Sequence, residues 1–135
     1  MFLLDTCVIS ELVKARPAAR VIAWIDTQRE ADLYLSVITI GEIEEGVAAL
    51  PDGEKRTQLL TWVRRALPDR FAGRLLAVDL LVAVAWGTRR GISKQTLPVV
   101  DGLIAATAHV HDLTVVTRNV ADFRRFGVSV INPWG

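Results

Sequence analysis

Among 135 residues there is one cysteine, three lysines and no apolar run long enough to cross a bilayer, and each shortage excludes something. Cys7 alone closes no internal disulfide and builds no zinc site, which suits a reducing cytosol and leaves it, by default, a small packed residue. The longest apolar stretch, Leu75 to Trp86, is broken by Asp79 and falls short of the roughly 20 residues that a spanning helix needs. The opening Met-Phe-Leu-Leu-Asp lacks a basic segment and meets a carboxylate at position 5, so no secretory signal is expected and the location expected is cytoplasmic. There is no Gly-x-Gly-x-x-Gly, no Walker lysine and no Gly-x-Ser-x-Gly. Dinucleotide binding, nucleotide hydrolysis and a serine nucleophile therefore have no anchor.

What is present is apolar and nearly neutral. A hydrophobic share of 51% with a net charge of +1 excludes disorder, and a chain of this length buries roughly two-thirds of its unfolded surface. No repeat or linker divides it, so residues 1–135 are expected to form one domain. The near neutrality conceals an asymmetry: residues 1–54 carry ten acidic and four basic groups, residues 55–135 five acidic and twelve basic. Thirteen of the 16 basic residues are arginine, which suits planar, bidentate phosphate contacts, although a coding bias toward arginine explains the count equally well.

Short apolar runs alternate with helical periodicity along the chain. Phe2 to Leu4 reads as a strand ending at Asp5, followed by a helical stretch through Ser10, Glu11 and Leu12. Ala18, Val21, Ile22 and Ile25 mark an amphipathic helix with Pro17 in its first turn. Leu33 to Leu35 is a second strand, and Ile40, Ile43, Val47 and Leu50 share the next helical face. A helix is expected from Glu54 to about Leu67, a third strand over Leu75 to Val78, then a helix capped by Asp79 and running to about Arg90. A loop over 91–97, a helix from Val99 to His111, a fourth strand over Leu113 to Val116 and a fifth over Val128 to Ile131 complete the pattern. This alternation predicts an α/β, Rossmann-like fold with a short parallel sheet of four or five strands covered by helices on both faces.

In open parallel sheets ligands bind beyond the carboxyl ends of the strands. The residues that the pattern places there are mostly acidic: Asp5 after strand one, Glu42 early in the helix after strand two, Asp101 at the start of the helix before strand four, and Thr117, Arg118, Asn119 and Asp122 after strand four. Carboxylates gathered without basic partners repel one another unless a cation neutralises them, and an all-oxygen set with room for water and phosphate suits Mg²⁺ or Mn²⁺. Such an ion activates water against a phosphodiester, which is nuclease chemistry. Each residue also has a structural reading: Asp5 as a helix cap, Thr39 and Glu42 as a capping box, Asp101 as a first-turn dipole partner. Their shared position relative to the sheet carries the argument. His109 and His111, about 200° apart on a helix, chelate no common ion. Glu11, Glu44 and Glu45 read as a solvated face or partner contact, and the four tryptophans as core or interface aromatics.

The residues that carry the chemistry also carry a resemblance. Asp5-Thr6-Cys7-Val8-Ile9-Ser10-Glu11 resembles the DTNVISE opening of PIN domains, Ser36 to Glu42 resembles their SxxTxxE segment, and Asp101 to Ala108 resembles their DxxIAATA segment. The likeness continues through Leu113 to Asn119 and Asn132-Pro133-Trp134, in the expected order and spacing, and is greatest to the VapC and FitB-like toxins of bacterial type II toxin–antitoxin pairs. It implies an endoribonuclease dependent on Mg²⁺ or Mn²⁺, with Asp5, Glu42 and Asp101 as metal ligands and Asn119 in the catalytic set. It also implies a homodimer restrained by a VapB-like antitoxin, with operator DNA bound only through that antitoxin, and no membrane partner. Two positions depart from the pattern: Cys7 stands where Asn is usual, and the fourth acidic position is Asn119, or is supplied by Asp122 three residues on. On this reading Arg89, Arg90 and Arg118 are candidates for a positive rim that meets RNA. An alternative is a weakly or non-catalytic PIN subunit that acts with an antitoxin in operator binding. A phosphoacceptor receiver-like domain is disfavoured, because none of Lys14, Lys55 and Lys94 follows a late strand.

Overall fold

The computed structural model describes residues 1–94 and 97–135. Among the described residues, strands β1 (Phe2–Leu4), β2 (Leu33–Ser36), β3 (Leu75–Leu76), β4 (Thr114–Val116) and β5 (Val130–Ile131) form one parallel sheet in the order β3-β2-β1-β4-β5. Helices α1 (Thr6–Glu11), α2 (Ala19–Thr27), α3 (Val37–Ala48), α4 (Glu54–Thr61), α5 (Leu67–Arg70), α6 (Leu80–Ile92), α7 (Val99–His111) and α8 (Val120–Phe126) connect and cover the strands. The α/β expectation and the parallel sheet are both met.

Alternate strand residues point to opposite faces, and this divides the core in two. Leu4 and Val116 pack with Val8, Ile9, Val21 and Ile43 on one side, while Leu3 and Val115 pack with Ile104, Phe123 and Phe126 on the other. Near-continuous apolar strands are what a sheet buried on both faces requires.

The strand order places the candidate site. β2 lies on one side of β1 and β4 on the other, so the direction of the connections reverses between β1 and β4 and opens a crevice at their carboxyl ends. Leu4 pairs with Val116 at the last rung, and immediately beyond it the Asp5 N–H donates to the Val116 carbonyl at 3.0 Å. Asp5 and Thr117 thus leave the sheet side by side.

Several boundaries differ from the sequence reading, each for a local reason. β3 stops at Leu76 because its partner β2 stops at Ser36, leaving Ala77 and Val78 with no strand beside them. The helix expected over 54–67 continues to Arg70 through a wider π turn at Trp62–Ala66. α6 extends to Ile92, which shortens the expected 91–97 loop, and Gln95 and Thr96 of that loop lie outside the described residues. Pro17 precedes α2 instead of occupying its first turn. α8 was not expected; it buries Phe123 and Phe126 and ends at Gly127, whose φ of 91° is the left-handed conformation that favours glycine after a helix.

Candidate active site

Asp5 caps α1 and is 5% exposed. Its Oδ1 accepts the Thr6 backbone N–H at 2.8 Å, and its Oδ2 accepts the Thr117 hydroxyl at 2.7 Å and the Cys7 thiol at 3.6 Å. Burial nevertheless raises its pKa above the ordinary carboxylate value, outweighing the donors that pull it down. The capping reading is therefore true of Asp5 but incomplete, because Oδ2 is held by a different strand end.

Glu42 is not part of a capping box. The cap of α3 is Ser36, whose Oγ accepts the Ile38 N–H at 3.0 Å, and Thr39 is buried inside the helix. Glu42 is thereby free to turn toward α1, where the Thr6 hydroxyl donates to its Oε1 at 2.5 Å and itself lies 3.2 Å from Thr39 Oγ1. Burial raises the Glu42 pKa, and repulsion from Asp5 and Glu45 adds to the effect.

Asp101 stands in the first turn of α7, and its pKa is pushed up to about 6. Burial is the main cause, followed by repulsion from Asp5 and then Glu42. The three carboxylates drawn from separate parts of the sequence therefore lie within electrostatic reach of one another. Among the described residues no lysine or arginine forms an ion pair with any of them. They do not close into a cage either: among the described residues no three His, Cys, Asp or Glu side chains gather tightly enough to hold one ion together.

The Asn119 side-chain amide bridges two acids, donating to Asp101 Oδ2 at 2.7 Å and to Asp122 Oδ2 at 2.9 Å. Asp122 also pairs with Arg125 at 3.2 Å. The position that resembles a fourth acid is thus a donor, with a carboxylate directly behind it. Thr6 and Thr117 are polar contributors to which the sequence reading gave no role; each directly follows a strand end or its acid, and that position was the available signal.

Other candidates fall elsewhere. Arg89 donates to the Arg125 carbonyl at 3.0 Å beside Phe126, at the far end of α8 from Asn119, and Arg90 donates to the Leu97 carbonyl at 2.6 Å beneath the Trp86 ring. Arg89 thus lies away from the acidic edge, whereas Arg90 packs beside the start of α7, the helix that carries Asp101. Arg118 follows Thr117 at the end of β4, where its backbone N–H donates to Cys7 Sγ at 3.5 Å. Glu11, expected on a solvated face or at a partner contact, is 3% exposed; it accepts Lys14 at 3.0 Å and the Ala18 N–H at 3.4 Å, and Lys14 holds its pKa down. Glu44 does lie at the surface, paired with Arg64, and His109 and His111 are exposed. A cavity of about 450 Å³ starts at Thr6 and Glu42 and runs between α1, α3 and α4 over Val13, Val47, Leu59 and Trp62.

Known proteins share this fold. The PIN domain family matches residues 2–128. The chain is 42% identical to the toxin FitB of Neisseria gonorrhoeae, covering 99% of each chain, and 42% identical to the VapC ribonuclease Y4jK of Sinorhizobium fredii, covering 99% of this chain and 98% of that one. Among solved structures it superimposes on one described as FitAB bound to an IR36 DNA fragment with a TM-score of 0.93 and 40% identity, covering 100% of this chain and 96% of that one.

Proposed function

The chain belongs to the PIN domain family, on its VapC and FitB side, and we propose that it is an endoribonuclease that works with Mg²⁺ or Mn²⁺ as the toxin of a type II toxin–antitoxin pair. The observation that carries this reading is the trio Asp5, Glu42 and Asp101, half-dry, mutually repelling and without a basic partner among the described residues.

The residues fit a hard divalent ion. Their donors are all oxygen, and the deficit of positive charge is the one that an ion removes. The open arrangement matches Mg²⁺, which commonly takes one or two carboxylates and completes its shell with water and substrate phosphate. Asp5, Glu42 and Asp101 would share it, one or two of them directly and the remainder through its water shell. When bound, such an ion supplies Lewis acidity toward water and toward the oxygens of a phosphodiester.

The chain's own groups do the rest. Thr117 and the Thr6 N–H fix both oxygens of Asp5, and the Thr6 hydroxyl fixes Glu42, so neither carboxylate has to be ordered when substrate arrives. Asn119 occupies Asp101 Oδ2 and leaves Oδ1 to accept a proton from the attacking water. Substrate strands approach over an edge whose own charge is negative, so their binding depends on the ion and on nearby arginine.

The resemblance and the relatives also support a partner. An antitoxin would lay an apolar segment along the groove that leaves Thr6 and Glu42 and present a basic side chain to the carboxylates. On this reading the toxin is a homodimer, and operator DNA is contacted through the antitoxin. No helix among the described residues is long and apolar enough to cross a membrane.

The deciding experiment incubates the purified chain with single-stranded RNA in Mg²⁺, in Mn²⁺ and in chelator. Cleavage that needs the ion and is lost in Asp5→Asn and Asp101→Asn supports the reading. Cleavage unaffected by either substitution overturns it. The alternative of a non-catalytic subunit predicts intact RNA in every lane.

A further inference from the structure

Arg118 follows β4 at the edge where the acids gather, and among the described residues it forms no ion pair. It lies between Thr117, which donates to Asp5 at 2.7 Å, and Asn119, which donates to Asp101 at 2.7 Å. Its guanidinium turns instead onto the indole of Trp134, 4.4 Å from the ring centroid, the shortest cation-to-ring distance among the described residues. Arg125, also close by, is occupied by Asp122.

Trp134 is a fixed platform. Its backbone N–H donates to Asn132 Oδ1 at 3.0 Å, its carbonyl accepts Arg20 at 3.4 Å, and its ring packs against the core on the face of the sheet that carries Leu4 and Val116. Stacking on such a platform removes most of the rotamer freedom of an exposed arginine, yet it leaves the in-plane N–H fork unused. A fork held in advance costs less entropy to bind a planar or tetrahedral oxyanion than a free side chain does. The anion that comes to this edge in the proposed reaction is a nucleic-acid backbone, which carries further phosphates on both sides of the one cut.

We propose that Arg118, held over the Trp134 ring, grips an RNA phosphate next to the one presented to Asp5, Glu42 and Asp101. Arg118 is a substrate-positioning residue, and the assignment rests on the ribonuclease reading above. The ring, and not a carboxylate, sets the direction of its guanidinium.

The test uses the full chain and a labelled single-stranded RNA. Affinity is read by anisotropy in the Asp101→Asn background over a series of monovalent salt concentrations, and KM and kcat are read for cleavage in Mg²⁺. Arg118→Ala is expected to weaken binding about tenfold, the effect of one charge-assisted contact, and to lower the slope of log affinity against log salt by about 0.7, the value for one phosphate on a single strand. KM rises while kcat holds. Arg118→Lys restores the salt slope but not the affinity, since an ammonium does not stack in the same way. Arg65→Ala, which removes an exposed arginine on the π turn, changes neither. Unchanged affinity and slope in Arg118→Ala, an equal loss in Arg65→Ala, or a loss confined to kcat each overturns the assignment. Failure of the otherwise unaltered chain to cleave RNA overturns the ribonuclease reading itself, and is distinguished by appearing before any change at Arg118.

Discussion

Asn119 Nδ2 stands 2.7 Å from Asp101 Oδ2, so the position that resembles a fourth acid acts here as a hydrogen-bond donor to the third. Its second bond, to Asp122, draws that carboxylate toward the same cluster. Asn119→Asp replaces a shared donor by a like charge facing two carboxylates, so the chelated protein is expected to unfold at a lower temperature than the parent. The same change adds a hard oxygen ligand, and Mg²⁺ affinity is expected to rise about tenfold, which corresponds to about 1.4 kcal/mol. Calorimetric titration and thermal unfolding with and without Mg²⁺ measure both. A variant that is less stable in chelator yet binds Mg²⁺ no better would show that residue 119 faces away from the ion.

Asp101 sets a pH dependence in the metal-free protein. Its pKa in the folded chain is about 6 against an ordinary value of 3.8, so between those values the folded state holds a proton that the unfolded state has released. Stability from this group is complete below the unfolded pKa, falls as pH rises toward 6, and is flat above it. Asp101→Asn mimics the protonated form and is expected to remove that fall. Chemical denaturation in chelator at pH 4, 5, 6 and 7 checks it, and a parallel decline in both proteins would assign the effect to another group.

Thr117 has a larger structural stake than its size suggests. Thr117→Val keeps the volume but removes the hydroxyl that donates to the buried Asp5 Oδ2, leaving that oxygen with the weakly donating Cys7 thiol. A buried acceptor stripped of its partner costs about 1 to 3 kcal/mol, and this loss is expected in chelator by urea denaturation. Mg²⁺ is expected to recover most of it, because an ion satisfies the same oxygen. Thr6→Val acts on Glu42, at a less buried position, and is expected to lower cleavage about tenfold with a smaller loss of stability.

The acids of the site were legible in the sequence because a short apolar run ending in a carboxylate marks both a strand end and a pocket edge, as at Leu4-Asp5. What surrounds them was less so. Thr39 and Glu42 satisfied the spacing of a capping box, yet Ser36 lies closer to the true strand end and captured the Ile38 N–H. Glu11 looked like surface because its partners, Lys14 and the Ala18 N–H, are brought to it by the turn between α1 and α2 and not by any periodic pattern. α8 has seven residues and an N-cap side chain that turns to Asp101 and Asp122 instead of its own backbone, so neither length nor capping announced it. β3 was overextended because Ala77 and Val78 are apolar, whereas strand length is set by the neighbour that supplies hydrogen bonds.

Gly102, next to Asp101, is where packing and chemistry meet. A Cβ on this buried residue would lie 3.2 Å from both Cδ1 and Nε1 of Trp86, and Trp86 is backed by Arg90, itself tied to the Leu97 carbonyl at 2.6 Å. In a free helix Gly→Ala is worth about 0.5 to 1 kcal/mol in favour of alanine, whereas overpacking a close contact costs about 1 to 3 kcal/mol. The second effect is expected to win, so Gly102→Ala lowers stability and shifts the first turn of α7 that carries Asp101. Cleavage is expected to fall about tenfold through kcat, because binding groups elsewhere on the edge are untouched. Shortening the opposing side chain restores the space: Gly102→Ala combined with Trp86→Phe is expected to be more active and more stable than the two single effects summed, a coupling of at least about 0.5 kcal/mol. Strict additivity in the double variant would separate the position of Asp101 from the Trp86 contact and place the cause of any lost activity elsewhere in α7.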